Sequence, residues 1–130
     1  MTPFLDCCNL QSIFVSPTNQ AFTSDNGVLF NKDKSILIVC PPSKSGFYRV
    51  PDKVAEISDG AFFGCRFLKK VLFPQTVKRV GVSSFEDYSS LELAEFNGEL
   101  DDIGSKAFYG CSSLWLANMA IDWKIGKDVF

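Results

Sequence analysis

The clearest local pattern in the chain lies between residues 68 and 73. There Leu68, Val71 and Phe73 face one way, and Lys70 and Leu72 face the other way. Period-two alternation over such a short stretch predicts a β-strand with one buried face. The stretch from Ser58 to Gly64 comes before it and places Gly and Asp ahead of an aromatic residue. It is too short for an independently stable helix, so a single helical or 3₁₀ turn is predicted, with Phe62 in the interior.

This unit of turn and strand recurs with a constant period of 23 residues, in segments that start at Val54, Val77 and Leu100. Eight apolar or small columns stay in phase without an insertion: Val54/Val77/Leu100, Ile57/Val80/Ile103, Ala61/Ser84/Ala107, Phe62/Phe85/Phe108, Cys65/Tyr88/Cys111, Leu68/Leu91/Leu114, Val71/Ala94/Ala117 and Phe73/Phe96/Met119. A period of about 20–29 residues with recurring Leu is typical of leucine-rich repeats. Stacked coils would bury these columns and form a parallel ladder of strands roughly 4.8 Å apart.

The rest of the chain is predicted to belong to the same single solenoid. Residues 54–122 hold three complete repeats, residues 1–15 match the second half of a unit, and residues 123–130 match the first half. Residues 16–53 interrupt the pattern with two β-rich runs, Val28–Phe30 and Ile36–Cys40, which predict an inserted hairpin. We expect the chain to be an excerpt of a longer array. Its incomplete ends, with Ile125 and Phe130, would then associate end to end unless the hairpin caps the solenoid.

The repeat motif, I-G-x-x-A-F-x-x-C-x-x-L-x-x-[VI]-x-F, resembles the BspA-like subclass of leucine-rich repeats. It is read at Ile57, Ala61, Phe62, Cys65, Leu68, Val71 and Phe73, and again at Ile103, Gly104, Ala107, Phe108, Cys111 and Leu114. Residues 27–33 and 36–42 are also similar to that family's recurrent hairpin segment. The chain departs from the motif with Ser58 for Gly, Ser84 for Ala and Tyr88 for Cys.

The resemblance implies an α/β leucine-rich-repeat solenoid, with a parallel sheet on one face and short helical turns on the other. It also implies a cell-surface or secreted adhesin or antigen that contacts a host or extracellular-matrix protein. The residues from Met1 to Asp6 lack the basic start and apolar run of a signal peptide.

Composition excludes several other classes of function. The 130 residues carry a net charge of −2, which gives no electrostatic basis for binding nucleic acid, and no apolar run is long enough to span a membrane. The chain has no histidine, so histidine-based catalytic pairs and imidazole metal ligands are ruled out. The carboxylates that could be imagined as acid–base pairs fall at predicted turns, at Glu86, Asp87, Asp101 and Asp102. We therefore expect no enzyme activity and no cofactor.

Five cysteines raise the questions of a metal site and of a disulfide. Cys65 and Cys111 share a column with Tyr88, which predicts buried, structural thiols. A disulfide involving Cys7, Cys8 or Cys40 stays open as an alternative. No Cys-x-x-Cys pair is present and a site without histidine would need four thiolates, so no metal site is predicted.

The outward strand positions are the candidate binding site. The 23-residue frame places them in two columns, Ser12/Lys70/Leu93/Leu116 and Phe14/Leu72/Glu95/Asn118. An exposed apolar cluster of this kind marks a contact surface, so a non-catalytic protein-binding module is predicted, with a binding site at Lys70, Leu72, Leu93, Glu95, Leu116 and Asn118. One alternative is that other parts of a longer chain cover this face. A second is that the repeats are a purely structural spacer.

Overall fold

The computed structural model describes residues 12–86 and 90–111 and the backbone of residues 115–117. Its ten strands are β1 (Phe22–Asp25), β2 (Val28–Asn31), β3 (Ile36–Val39), β4 (Gly46–Arg49), β5 (Glu56–Ile57), β6 (Leu68–Phe73), β7 (Arg79–Val80), β8 (Leu93–Phe96), β9 (Asp102–Ile103) and β10 (Trp115–Ala117). They form two sheets. Sheet A has the order β1-β2-β3-β5-β7-β9, and sheet B has the order β10-β8-β6-β4.

Each coil of the solenoid contributes one strand to each sheet. In sheet A, β3, β5, β7 and β9 are parallel neighbours. In sheet B, β4, β6, β8 and β10 are likewise parallel. The register of Ile57, Val80 and Ile103 repeats the 23-residue period. The predicted parallel ladder is therefore confirmed in sheet B, while the strands of the second ladder are too short to give a sequence signal.

The prediction of short helical turns is wrong for the part of the chain that the structure describes, which contains no helix. The segments between the sheets are turns instead. Gly60, Ser83 and Lys106, spaced 23 residues apart, have φ of 66°, 55° and 56°. A residue in this left-handed region cannot continue a right-handed helix, so each segment is broken where a helical turn was expected. The described residues are thus all-β rather than α/β.

Stacked phenylalanine rings fill the space between the two sheets. The rings of Phe62 and Phe85 lie 4.6 Å apart at an interplanar angle of 9°, and those of Phe85 and Phe108 lie 5.1 Å apart at 11°. Phe73 and Phe96 form a second stack at 4.4 Å and 3°. All five side chains are buried. The predicted column of Phe62, Phe85 and Phe108 is confirmed, and the ring spacing is close to the separation of neighbouring strands.

The predicted hairpin is present, and it joins the solenoid. Strands β2 and β3 pair antiparallel, and β1 pairs antiparallel with β2 through a turn at Asn26 and Gly27, which both have positive φ. From β2, Val28 and Phe30 are fully buried in the common core. The following strands, β3 and β4, continue the parallel ladders of sheets A and B. Part of the segment interpreted as a decoration therefore forms a further coil.

The coils differ in length in one arm only. The return from sheet B to sheet A takes nine residues each time, as shown by Tyr48 to Ile57, Val71 to Val80 and Ala94 to Ile103. The passage from sheet A to sheet B varies in length. It takes 14 residues in two coils, from Ile57 to Val71 and from Val80 to Ala94. It takes 11 residues in the first coil, from Leu37 to Tyr48, and 13 in the last, from Ile103 to Leu116. The two ladders thus tolerate a change of length between the turn and sheet B.

Candidate binding face on the strands of sheet B

Sheet B presents two rows of outward side chains. In β4, β6 and β8 the inward residues are buried, and the residues between them point away from the core. The register places Phe47, Lys70 and Leu93 side by side in the first row, and Arg49, Leu72 and Glu95 in the second. We call these six residues the strand face.

Four of the six predicted site residues lie on this face. Lys70 is directly opposite Leu93, and Leu72 is opposite Glu95, as the 23-residue spacing predicts. Leu93 and Glu95 are half-buried, as is Leu72, whereas Lys70 is exposed. The sequence therefore identified the correct faces of β6 and β8.

The predicted place of Leu116 is wrong. The backbone of Leu116 is opposite Ala94, in the register of the buried column, and Trp115 is opposite Leu93. This shift of one residue follows from the shorter arm that precedes β10. Asn118, the remaining predicted residue, lies outside the described residues.

Phe47 and Arg49 were missed by the sequence analysis, which gave their places to Ser12 and Phe14. Residues 12–15 instead run beside the hairpin: the Ile13 amide donates to the Gly27 carbonyl oxygen at 2.8 Å, and the Val15 amide donates to Ser24 Oγ at 2.9 Å. The available signal was the alternation from residue 47 to residue 50, where Tyr48 and Val50 are buried and the two residues beside Tyr48 are exposed.

The strand face combines apolar surface with charges that form no ion pair among the described residues. Phe47 is 57% exposed, a large fraction for an aromatic residue. Among the described residues, none forms an ion pair with Arg49, Lys70 or Glu95. The basic groups lie on β4 and β6 and the acidic group lies on β8, so the face is basic at one side and acidic at the other.

A groove of about 330 Å³ continues the face beyond the ends of β4, β6 and β8. Its walls are Arg49, Asp52, Pro74, Gln75, Thr76 and Asn97. Thr76 Oγ1 lies 2.8 and 2.7 Å from the carbonyl oxygens of Asp52 and Val54, which share its single proton as acceptors. Asn97 Nδ2 donates to the carbonyl oxygen of Phe73 at 3.1 Å. These bonds join neighbouring coils, so the side chains of the groove are held in place, while Arg49 is shared with the strand face.

The three described cysteines, Cys40, Cys65 and Cys111, have structural contacts. Cys65 is buried as predicted and donates to the Cys40 carbonyl oxygen at 3.3 Å, whereas Cys111 is only half-buried and donates to the Phe85 carbonyl oxygen at 3.1 Å. Cys40, Cys65 and Cys111 are free thiols, and Cys7 and Cys8 lie outside the described residues. Burial raises the pKa of the Cys40 thiol, which keeps it protonated and unreactive.

Within residues 12–86 and 90–111, no group of three or more Cys, Asp or Glu side chains is placed to hold a metal ion. Nor does that part of the chain contain a helix long and apolar enough to cross a bilayer.

Comparisons with known proteins agree with the repeat architecture. A family model described as a BspA-type leucine-rich repeat region of six copies matches residues 43–130. No curated protein matches the chain. Three solved structures match it, and the chain spans 30% to 44% of their length.

The first is a leucine-rich repeat protein from Eubacterium ventriosum, with 28% identity and a TM-score of 0.75 over 86% of this chain and 30% of that one. The second is the pneumococcal vaccine antigen PcpA, with 25% identity and a TM-score of 0.66 over 84% and 33%. A leucine-rich cell-surface protein from Faecalibacterium prausnitzii shares the fold at 18% identity, with a TM-score of 0.64 over 91% and 44%. The chain has the repeat columns and the stacked coils described above, and the family model matches residues 43–130. It therefore belongs to the BspA-type leucine-rich repeat family.

Proposed function

We propose that this chain is a non-catalytic protein-binding module of a cell-surface adhesin or antigen, and that the strand face is its contact surface. The observation that carries the proposal is the face itself: Phe47, Leu72 and Leu93 offer apolar area beside charges that form no ion pair with any described residue. Extended repeat surfaces of this kind bind proteins, and aromatic and Arg side chains are enriched among residues that dominate interfaces.

The similar structures support a surface location, because one is a vaccine antigen and another is a cell-surface protein. The partner class that we propose, a host or extracellular-matrix protein, is the one that the resemblance to BspA-like proteins implies. No catalytic step is assigned: burial raises the pKa of the Cys40 thiol, the Cys65 and Cys111 thiols are hydrogen-bonded to carbonyl oxygens, and the chain lacks histidine.

The test is binding of the purified chain to a panel of immobilised extracellular-matrix proteins, measured by biolayer interferometry. We expect the double variant Leu72→Asp/Leu93→Asp to bind at least about tenfold more weakly, because two charges would have to lose water at the contact. Phe22→Asp is the matched control: Phe22 is 42% exposed on β1, in the other sheet, so its replacement should leave the affinity unchanged.

Two results would contradict the proposal. Failure of the wild-type chain to bind any matrix protein would favour the spacer alternative. Equal affinities of the wild type and the double variant would remove the strand face as the site.

A further inference from the structure

The strand face is self-complementary. Its second row runs from Arg49 on β4, through Leu72 on β6, to Glu95 on β8. Its first row runs from Phe47 to Leu93 with Lys70 between them. Each row therefore has complementary groups at its two ends and one side chain on the middle strand.

A two-fold axis parallel to β6 would exploit this arrangement. Rotation about that axis lays β4 of one copy over β8 of the other and β6 over β6, with the rows in register. Arg49 then faces Glu95 of the second copy, Phe47 faces Leu93, and Leu72 faces itself at the centre. An interface of this type uses the same patch on both copies and closes on itself.

We propose that the strand face binds the strand face of a second copy of this chain as a symmetric, face-to-face pair. This gives the site assigned under the proposed function a second partner, another copy of this chain, and rests on that assignment. Two Arg49–Glu95 ion pairs and two Phe47–Leu93 contacts surround the central Leu72 pair. Lys70 meets its own copy near the axis, where its long side chain extends to solvent and keeps the two ammonium groups apart.

The charges of Arg49 and Glu95 are available for such a pair because Leu72 separates them within one chain. Arg49 and Glu95 lie on strands separated by β6, which puts their backbones roughly 9.6 Å apart. Neither forms an ion pair with any residue in the described part of the chain. The complementarity is therefore directed outward.

The contact is small, so the pair is weak. Three strands with about four residues each cover roughly 190 Å², well below the ~800 Å² per partner of a stable interface. We expect a dissociation constant on the order of 1 mM for the isolated chain. Arrays with more coils would gain contacts without a new binding mode.

The experiment is sedimentation equilibrium of the purified chain up to about 1 mM at low ionic strength. Wild type should self-associate, and Arg49→Glu and Glu95→Arg should each weaken association by at least about tenfold, because each places like charges opposite one another. The double variant Arg49→Glu/Glu95→Arg restores both pairs and should return to within about threefold of wild type. Lys53→Glu is the control, since Lys53 is exposed and outside the face.

Three outcomes would overturn the inference: a wild-type monomer at every concentration, association that Arg49→Glu leaves unchanged, or a double variant that stays monomeric. The second outcome would assign association to the ends of the solenoid. A wild-type monomer that still binds a matrix protein through Leu72 and Leu93 would refute self-association and leave the proposed function intact. Loss of both activities would refute both.

Discussion

The outward faces of the two sheets carry similar charges in different arrangements. In sheet A one row consists of Glu56, Arg79 and Asp102 on neighbouring strands. Arg79 Nη1 lies 3.5 Å from Glu56 Oε2, and its Nε lies 3.3 Å from Asp102 Oδ2. In sheet B the equivalent row has Leu72 between Arg49 and Glu95, and neither of these two is in an ion pair within the described ranges.

The identity of the middle residue decides which face neutralises its own charge. A cation on the middle strand reaches an anion on each side, because neighbouring strands are only about 4.8 Å apart. A leucine there separates the charges and adds apolar surface. Sheet A therefore pairs these charges inside the chain, while Arg49 and Glu95 of sheet B form no ion pair with any described residue.

Both faces depend on the same core, so the largest effect should come from breaking it. Replacement of Phe85 by Ala removes the ring between Phe62 and Phe108 and should lower the free energy of unfolding by about 3–5 kcal/mol. Equilibrium urea unfolding measures the change. Phe67→Ala is the control, since Phe67 is 51% exposed and its loss should cost less than about 0.5 kcal/mol. A loss below 1 kcal/mol for the Phe85 variant would argue against a shared core.

Two glycines, one beside each sheet, differ in how closely the rest of the chain approaches them. A Cβ added to Gly104, just after β9 of sheet A, would lie 2.4 Å from the Val82 backbone nitrogen, so Gly104→Ala should cost about 3 kcal/mol. A Cβ on Gly46 at the start of β4 meets nothing within 4 Å, and only its φ of 80° opposes Ala, at about 1 kcal/mol. Thermal and urea unfolding of the two variants should preserve this order, and equal costs would contradict it.

The smallest effect should come from the charges, and it sharpens the contrast most directly. Arg79→Glu removes two exposed ion pairs and places an anion between two others, which should cost about 1 kcal/mol at low salt. The matched reversal in sheet B, Arg49→Glu, breaks no pair among the described residues and should change stability by less than about 0.5 kcal/mol. Added salt should reduce the first effect. Equal losses for both variants would show that the two faces do not differ.

The sequence predicted the features that recur with the same volume at the same spacing. Phe62, Phe85 and Phe108 were placed correctly because a stacked column needs the same ring in each coil. Backbone conformation was harder to predict from the residue types. Ser83 and Lys106 adopt the left-handed conformation of Gly60, yet neither residue type indicates it, so a helical turn was predicted where the chain makes a broken turn.

The candidate site was predicted where the period held and missed where it failed. Lys70, Leu72, Leu93 and Glu95 follow the 23-residue frame. The coil that supplies Phe47 and Arg49 is three residues shorter, and Cys40 there takes the backbone position that phenylalanine holds in later coils: its amide donates to the Ala61 carbonyl oxygen at 2.8 Å. A frame of fixed length could not find that coil, and it misplaced Leu116 by one residue for the same reason.

The passage from sheet B to sheet A has a constant length of nine residues, and the passage from sheet A to sheet B varies. Changes of length during evolution are therefore expected in the second passage. Insertions or deletions near Arg66 and Phe67, both exposed just ahead of β6, leave both ladders paired. New loops acquired there would emerge at the entrance to sheet B and add sequence diversity around its face. One residue gained or lost between Val71 and Val80 would instead shift the register of one ladder by one residue. The side chains that a strand buries would then face solvent.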